Sequence, residues 1–174
     1  MNDKDTNNAI ALIDKEVNRS KVESNHDGLP KEIFLLSSRL SPILNVDLLI
    51  KDETGRVLLS WRDDPYVTGP GWHIPGGIVR LKEKMTDRVQ KVAMSEIGTI
   101  VDVDPIPIDY NELITERTTR GHFFSVLYEC FLSKKFKIIN NLNETDPGYL
   151  KWHDCCPDNL IPIHSVYQKW FKNE

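Results

Sequence analysis

Long apolar runs are missing from this 174-residue sequence. No stretch approaches the ~18 consecutive apolar residues that a membrane-crossing helix needs, so no membrane association is expected. The opening MNDKDTNNAIALIDKEVNRS has no apolar segment of the secretory kind, and a cytoplasmic setting is the expectation. Cysteine is scarce: Cys130, Cys155 and Cys156. An odd count with two of them adjacent makes no disulfide framework and fits no zinc spacing. Reduced thiols are the simplest reading. A basic excess is also lacking. The formal charge of -4 argues against general nucleic-acid binding, while leaving room for a local basic pocket around a phosphorylated small molecule. No internal repeat is visible.

What remains is an ordinary globular composition, 40% hydrophobic and 28% charged, long enough for one sizeable core and short for two. Residues 1–28 are polar and carry only a weak amphipathic patch, Ile10 to Val17. They are expected to form a flexible arm, or at most a frayed helix, ahead of a single domain over 29–174. LPKEIFLLSSRL predicts a short helix with Pro30 in its first turn. ILNVDLLIKD predicts a strand buried on both faces, DETG a turn, and RVLLSWR its hairpin partner. Thr86 is a suitable N-cap for the helix DRVQKVAMSEI, which Gly98 ends. HFFSVLYECFL is the clearest strand, and YLKWHD a last short one. Ile163, Val166, Tyr167 and Trp170 form an i, i+3, i+4, i+7 stripe in a terminal helix. The order predicts an α/β fold with a mixed sheet between helices.

The helix after Met85 carries the chemistry. At 100° per residue, Val89, Val92, Ala93, Glu96, Ile97 and Ile100 fall on one side. Glu96 thus sits within an apolar stripe, where a carboxylate is costly unless compensated. An Arg partner is one compensation. A hard cation such as Mg²⁺, typically held by one or two carboxylates plus substrate phosphates, is the other. The Gly76-Gly77 pair after Pro75 favours the cation. It lets the backbone pass close to the helix and turns a carbonyl inward, giving an oxygen pair with Glu96.

The stretch GGIVRLKEKMTDRVQKVAMSEIG, led in by GWHIP, resembles the Nudix box, G-x5-E-x7-R-E-U-x-E-E-x-G-U, where U is a bulky aliphatic. Gly77, Glu83, Glu96 and Gly98 match. Lys91 stands for the Arg that pairs with Glu83, Val92 and Ser95 for two metal-binding Glu residues, and Thr99 for the final aliphatic. These losses are similar to those of the GDP-mannose mannosyl hydrolase branch. The resemblance implies a Nudix-type α/β/α sandwich and one Mg²⁺ rather than a cluster. It implies a nucleoside-diphosphate sugar as substrate, GDP-sugar favoured, with water attacking the anomeric carbon to release nucleoside diphosphate and free sugar. A homodimer is implied by the same likeness.

By the same resemblance, Gly76, Glu96 and Asp146 form the metal set. Asp47 and Arg62 contact substrate, with Arg62 on the diphosphate. From residue type and position alone, Tyr66 in its polar loop suits stacking on the base, and Arg120 suits a phosphate or solvent. The branch places its catalytic His where this chain has Pro147, so Glu144, Asp146 or His122 takes the role of base, with His153 a further candidate, or the reaction differs. Plainer roles stand beside each of these: Asp47 bonded at a strand end, Arg62 paired with Asp63 or Asp64, His122 structural. Two other activities stay open. An ordinary Nudix pyrophosphohydrolase would attack phosphorus and yield nucleoside monophosphate and sugar 1-phosphate. A non-catalytic domain would bind a nucleotide sugar and regulate a partner.

Overall fold

The computed structural model describes residues 3–23, 29–63 and 70–172. Helix α1 spans Asp3–Glu23 and α2 Lys31–Leu40, followed by strands β1 Ile43–Ile50, β2 Val57–Arg62, β3 Gly71–His73 and β4 Gly76–Ile78. Helix α3 is Met85–Val92, continued by a π turn over Ala93–Ile97. Strands β5 Asp102–Val103, β6 Asp109–Ile114, β7 His122–Phe131 and β8 Leu150–His153 come next, and a 3-10 helix, Pro162–Trp170, closes the order.

The polar opening segment forms a helix over Asp3–Glu23. It contains neither Pro nor Gly between Asp3 and Glu23, and Asp3 and Asp5 in the first turn complement the helix dipole. The chain divides into two compact units. One unit holds the residues up to Ile43 together with Ile114–His122; the other holds Leu44–Leu113 and the chain from Phe123 onward.

In the larger unit, alternation along the strands builds two cores. Val46, Leu48 and Ile50 of β1, Leu58 of β2, and Val126, Tyr128 and Cys130 of β7 pack with Val89, Val92, Ala93 and Ile97. Residues of opposite parity, Leu49, Leu59, Trp61 and Leu127, pack with Trp72, Ile74, Tyr167 and Phe171. A one-residue slip of β1 would exchange the faces and push Asp47 into the apolar core against Val92. The expected layering, strands between helical elements, is thus formed by α3 on one side and the 3-10 helix on the other.

Strand β2 departs from expectation. The turn after β1 closes as the sequence suggests, with Asp52 Oδ1 accepting from the Thr54 and Arg56 amides at 2.9 Å each. Beyond the Lys51–Val57 bridge, however, β2 leaves β1. It joins a three-stranded sheet in the order β3-β2-β8, while β1 lies between β4 and β7 in the five-stranded sheet. Hairpin propensity is local, and the two cores override it here.

The box helix also differs in detail. Lys84 occupies the cap position with no side-chain bond, so Thr86 lies inside the helix. The π turn accommodates more residues per turn than an α-helix, so the 100° wheel fails beyond Val92. Gly98, at φ +82°, ends the turn with its amide on the Ala93 carbonyl at 3.1 Å. Ile100, past that reversal, is exposed. The terminal segment has the 3-10 period, so His164 and Tyr167, three residues apart, are its buried side chains.

Candidate metal and active site

Antiparallel pairing of β1 with β4 sets Asp47 opposite Gly76 and Val46 opposite Gly77. Both glycines are required by close approach. A Cβ on Gly77 would lie 2.6 Å from Val92 Cγ2, and one on Gly76 would lie 2.0 Å from Asp47 Oδ1. The strand can therefore fit between β1, which Gly76 approaches, and the box helix, which Gly77 approaches, only because neither residue has a side chain.

Glu96, on the π turn, points at this strand. Its side chain is 22% exposed. The Gly76 amide faces its Oε1 at 3.4 Å, and His73 Nε2 lies 3.1 Å from its Oε2. The other nitrogen of His73, Nδ1, is 2.7 Å from the Ser60 carbonyl. A carbonyl only accepts, so Nδ1 is the ring nitrogen that donates, and Nε2 is the one that faces the carboxylate. His73 is buried and was missed in the sequence. The only sign was its place between Trp72 and the glycines.

Beneath Gly76, Asp47 is 1% exposed. Its Oδ2 accepts from the Ser125 and Tyr167 hydroxyls, and its Oδ1 from Asn45 Nδ2 at 2.9 Å. Burial pushes its carboxyl up from the usual range, opposed by those two hydroxyls and by His73. Tyr167 is itself pushed up, by burial first and then by Asp47. His164 Nδ1 accepts from the Ile74 amide at 3.0 Å. Burial, with His73 nearby, holds His164 far below the ordinary imidazole range, which leaves Nδ1 free to accept.

Glu83 is the anchor of the box. Its Oε2 accepts from the Arg80 amide at 2.9 Å and from Arg88 Nε at 2.8 Å, and Lys91 Nζ lies 3.1 Å from Oε1. Burial opposes its charge, but the Arg80 amide, Arg88 and Lys91 outweigh that and hold the carboxyl below its usual range. The Lys91 pairing expected from the box is present. Arg88 supplies the planar guanidinium that Lys91 lacks. Val92, where the box usually carries Glu, is 4% exposed in the apolar core. Ser95 is exposed and donates to the Val92 carbonyl at 3.1 Å.

Of the residues anticipated for the site, Gly76 and Glu96 come together. Asp146 has its Oδ2 engaged by the Asn143 amide at 2.8 Å and side chain at 2.9 Å within its own loop. Its loop joins the end of β2, where Tyr149 and Gly148 bond the Trp61 backbone. Arg62 stands at that strand end, opposite Gly71. Tyr66 lies outside the described residues. His122 and Arg120 belong to the smaller unit. There the Arg120 amide bonds Ser38 Oγ at 3.1 Å, with its guanidinium 5.9 Å from the Phe34 ring centroid.

No family model matches the sequence. The MutT NUDIX hydrolase from Burkholderia pseudomallei superposes with a TM-score of 0.59 at 18% identity, over 76% of this chain and 99% of that one. The fold is the Nudix fold. A NUDIX hydrolase from Nitrosomonas europaea aligns at a TM-score of 0.52 and 14% identity, over 65% and 72% of the two chains. In sequence, the low-salt glycan biosynthesis protein Agl8 of Haloferax volcanii is 40% identical over 63 residues, 36% of this chain. The alignment covers 39% of that protein, well short of its full length. On this Nudix fold, the box glycines, Glu83 and Glu96 occupy one strand–helix junction. Among the described residues no group of three or more His, Cys, Asp or Glu side chains could hold a metal.

Proposed function

We propose that this protein is a Mg²⁺-dependent hydrolase of a nucleoside-diphosphate sugar, GDP-sugar favoured. Water attacks the anomeric carbon, and nucleoside diphosphate and free sugar leave. The observation that carries the reading is the solitary Glu96 at the Gly76 strand, with Val92 committed to the core. Hydrolysis at phosphorus in this fold normally draws on several carboxylates along the box helix, by the likeness described above. Here one hard-oxygen donor remains, which suits a single Mg²⁺ and not a cluster. Glu96, the Gly76 backbone and Asp146 would hold the ion, which when bound neutralises the diphosphate as a leaving group. Arg62 contributes a fixed cation to the same diphosphate. The base that removes the proton from water is a side chain other than the ion's own ligands, because inversion requires attack from the face opposite the leaving group. The likeness to the glycan biosynthesis protein Agl8 supports a carbohydrate setting. Action in the cytoplasm, as a homodimer, completes the proposal.

The second reading, a pyrophosphohydrolase attacking phosphorus, is favoured by the fold itself. Incubation with Mg²⁺ and a panel of GDP-, UDP-, CDP- and dTDP-sugars, followed by anion-exchange separation, distinguishes the two. Nucleoside diphosphate with free sugar is the expected result. Nucleoside monophosphate with sugar 1-phosphate would sink carbon attack. Tight binding without turnover would point to a regulatory domain.

A further inference from the structure

The segment Ile74-Pro75-Gly76 crosses from β3 in one sheet to β4 in the other, and it presents the Gly76 backbone to Glu96. Its polar groups are taken by three different elements. The Pro75 carbonyl accepts from the Leu48 amide of β1 at 2.9 Å, and the Gly76 amide faces Glu96. The Ile74 amide donates to no backbone group but to His164 Nδ1 on the 3-10 helix. One 3-10 turn later, the Tyr167 hydroxyl donates to Asp47, the carboxylate that lies directly under Gly76.

The same stretch of chain also grips β3. The Trp72 amide bonds the Asn159 carbonyl and the Ile161 amide bonds the Trp72 carbonyl, each at 2.9 Å. A Cβ on Gly71 would come within 2.5 Å of that Asn159 carbonyl. Residues 159–167 therefore hold β3 from its start at Gly71 and the crossing that follows it to Gly76, and two of the holds are side-chain bonds from buried groups.

We propose that His164 and Tyr167 are positioning residues. From the terminal 3-10 helix they set the height and direction of the Ile74–Gly76 backbone against Glu96. His164 does so by accepting the Ile74 amide, and Tyr167 by locking the Asp47 carboxylate under Gly76. Neither touches substrate. The consequence for metal binding rests on the function proposed above; the positioning itself rests on the hydrogen bonds alone.

The test uses the full chain and three variants: His164→Leu, His164→Asn, whose Oδ1 can replace Nδ1 as acceptor, and Tyr167→Phe. Amide hydrogen exchange at Ile74 and Gly76 is read by NMR, and Mn²⁺ affinity by paramagnetic titration against a Glu96→Gln control. His164→Leu and Tyr167→Phe are expected to speed exchange at these two amides. They should also weaken Glu96-dependent Mn²⁺ binding by roughly 10- to 100-fold, the usual cost of losing an outer-shell partner. His164→Asn is expected to restore most of both. Unchanged exchange and affinity in folded His164→Leu and Tyr167→Phe would overturn the proposal. So would loosening spread evenly over the core, because that marks a structural residue only. If the wild-type protein binds no Mn²⁺, the metal reading above fails, and the positioning is judged by exchange at Ile74 and Gly76.

Discussion

Replacing Gly76 by Ala probes the junction most directly. The backbone of Gly76 is not left-handed, so the substitution introduces contact and not torsional strain. The new Cβ would lie 2.0 Å from Asp47 Oδ1 and 3.0 Å from the Val46 carbonyl. Ordinary carbon–oxygen contacts begin near 3.3 Å, so the carboxylate or the strand must yield by roughly 1.3 Å. Asp47 cannot yield cheaply, because Ser125, Tyr167 and Asn45 hold it in a buried site. Breaking two hydrogen bonds to a charged acceptor costs about 3–6 kcal/mol, a large part of the ~5–15 kcal/mol stability of a typical domain. In an Asp47→Ala background the Oδ1 obstruction is gone and only the 3.0 Å approach to the Val46 carbonyl remains, so the same Gly76→Ala change should cost only about 1 kcal/mol or less, offset by the lower entropy of the unfolded chain. Urea unfolding of the four proteins of this double-mutant cycle gives the coupling. Equal cost of Gly76→Ala in both backgrounds would refute the reasoning, since it would mean that Asp47 is not what forbids a side chain there.

Four further outcomes follow from the same geometry. Glu96→Gln is expected to lower turnover by at least about 100-fold, the scale of losing one key electrostatic group, with thermal stability nearly unchanged; turnover within a few-fold of wild type would remove Glu96 from the site. Val92→Glu, which restores the usual box residue, should cost about 3 kcal/mol or more, because the carboxylate enters an apolar core, whereas Ser95→Glu at an exposed position should be tolerated; equal thermal stability of the two variants would contradict the packing. Glu83→Gln should destabilise by about 3 kcal/mol by leaving Arg88 without its charge partner in a largely buried pair, as measured by urea unfolding. Burial, with Lys151 nearby, lowers the His153 pKa from 6.5 to about 4, so the folded chain binds fewer protons than the unfolded one between those values. Stability should fall as pH drops from 6.5 through about 4 and this loss should be smaller in His153→Phe; parallel pH profiles for the two proteins would argue against it.

The box was legible because its information is local. The spacing from Gly77 to Glu96 and Gly98 follows from one strand passing one helix, and the strand and helix are each written in periodicity. That Glu96 faces inward, that Glu83 pairs with Lys91, and that β1 is buried on both faces could all be read before any coordinates. Local signals also misled. DETG forms its turn, but β2 then pairs with β3 and β8, because Leu59 and Trp61 belong to a different core from Leu48. The wheel placed Ile100 with the core, but a π turn and the reversal at Gly98 intervene.

Composition and spacing determined the class of fold, the box and its one surviving helix carboxylate. Tertiary structure alone decided what surrounds that carboxylate. His73, Asp47, His164 and Tyr167 lie as far apart in sequence as residues 47 and 167, and no periodicity links them. They meet because two cores form on opposite faces of the strands, and because the terminal segment pairs with β3. Asp47 looked like a strand residue free to meet a ligand. Folding closed it under Gly76, where its two oxygens find three donors. A polar side chain buried on folding must find partners wherever the fold brings them, and that pairing is decided by packing rather than by sequence distance.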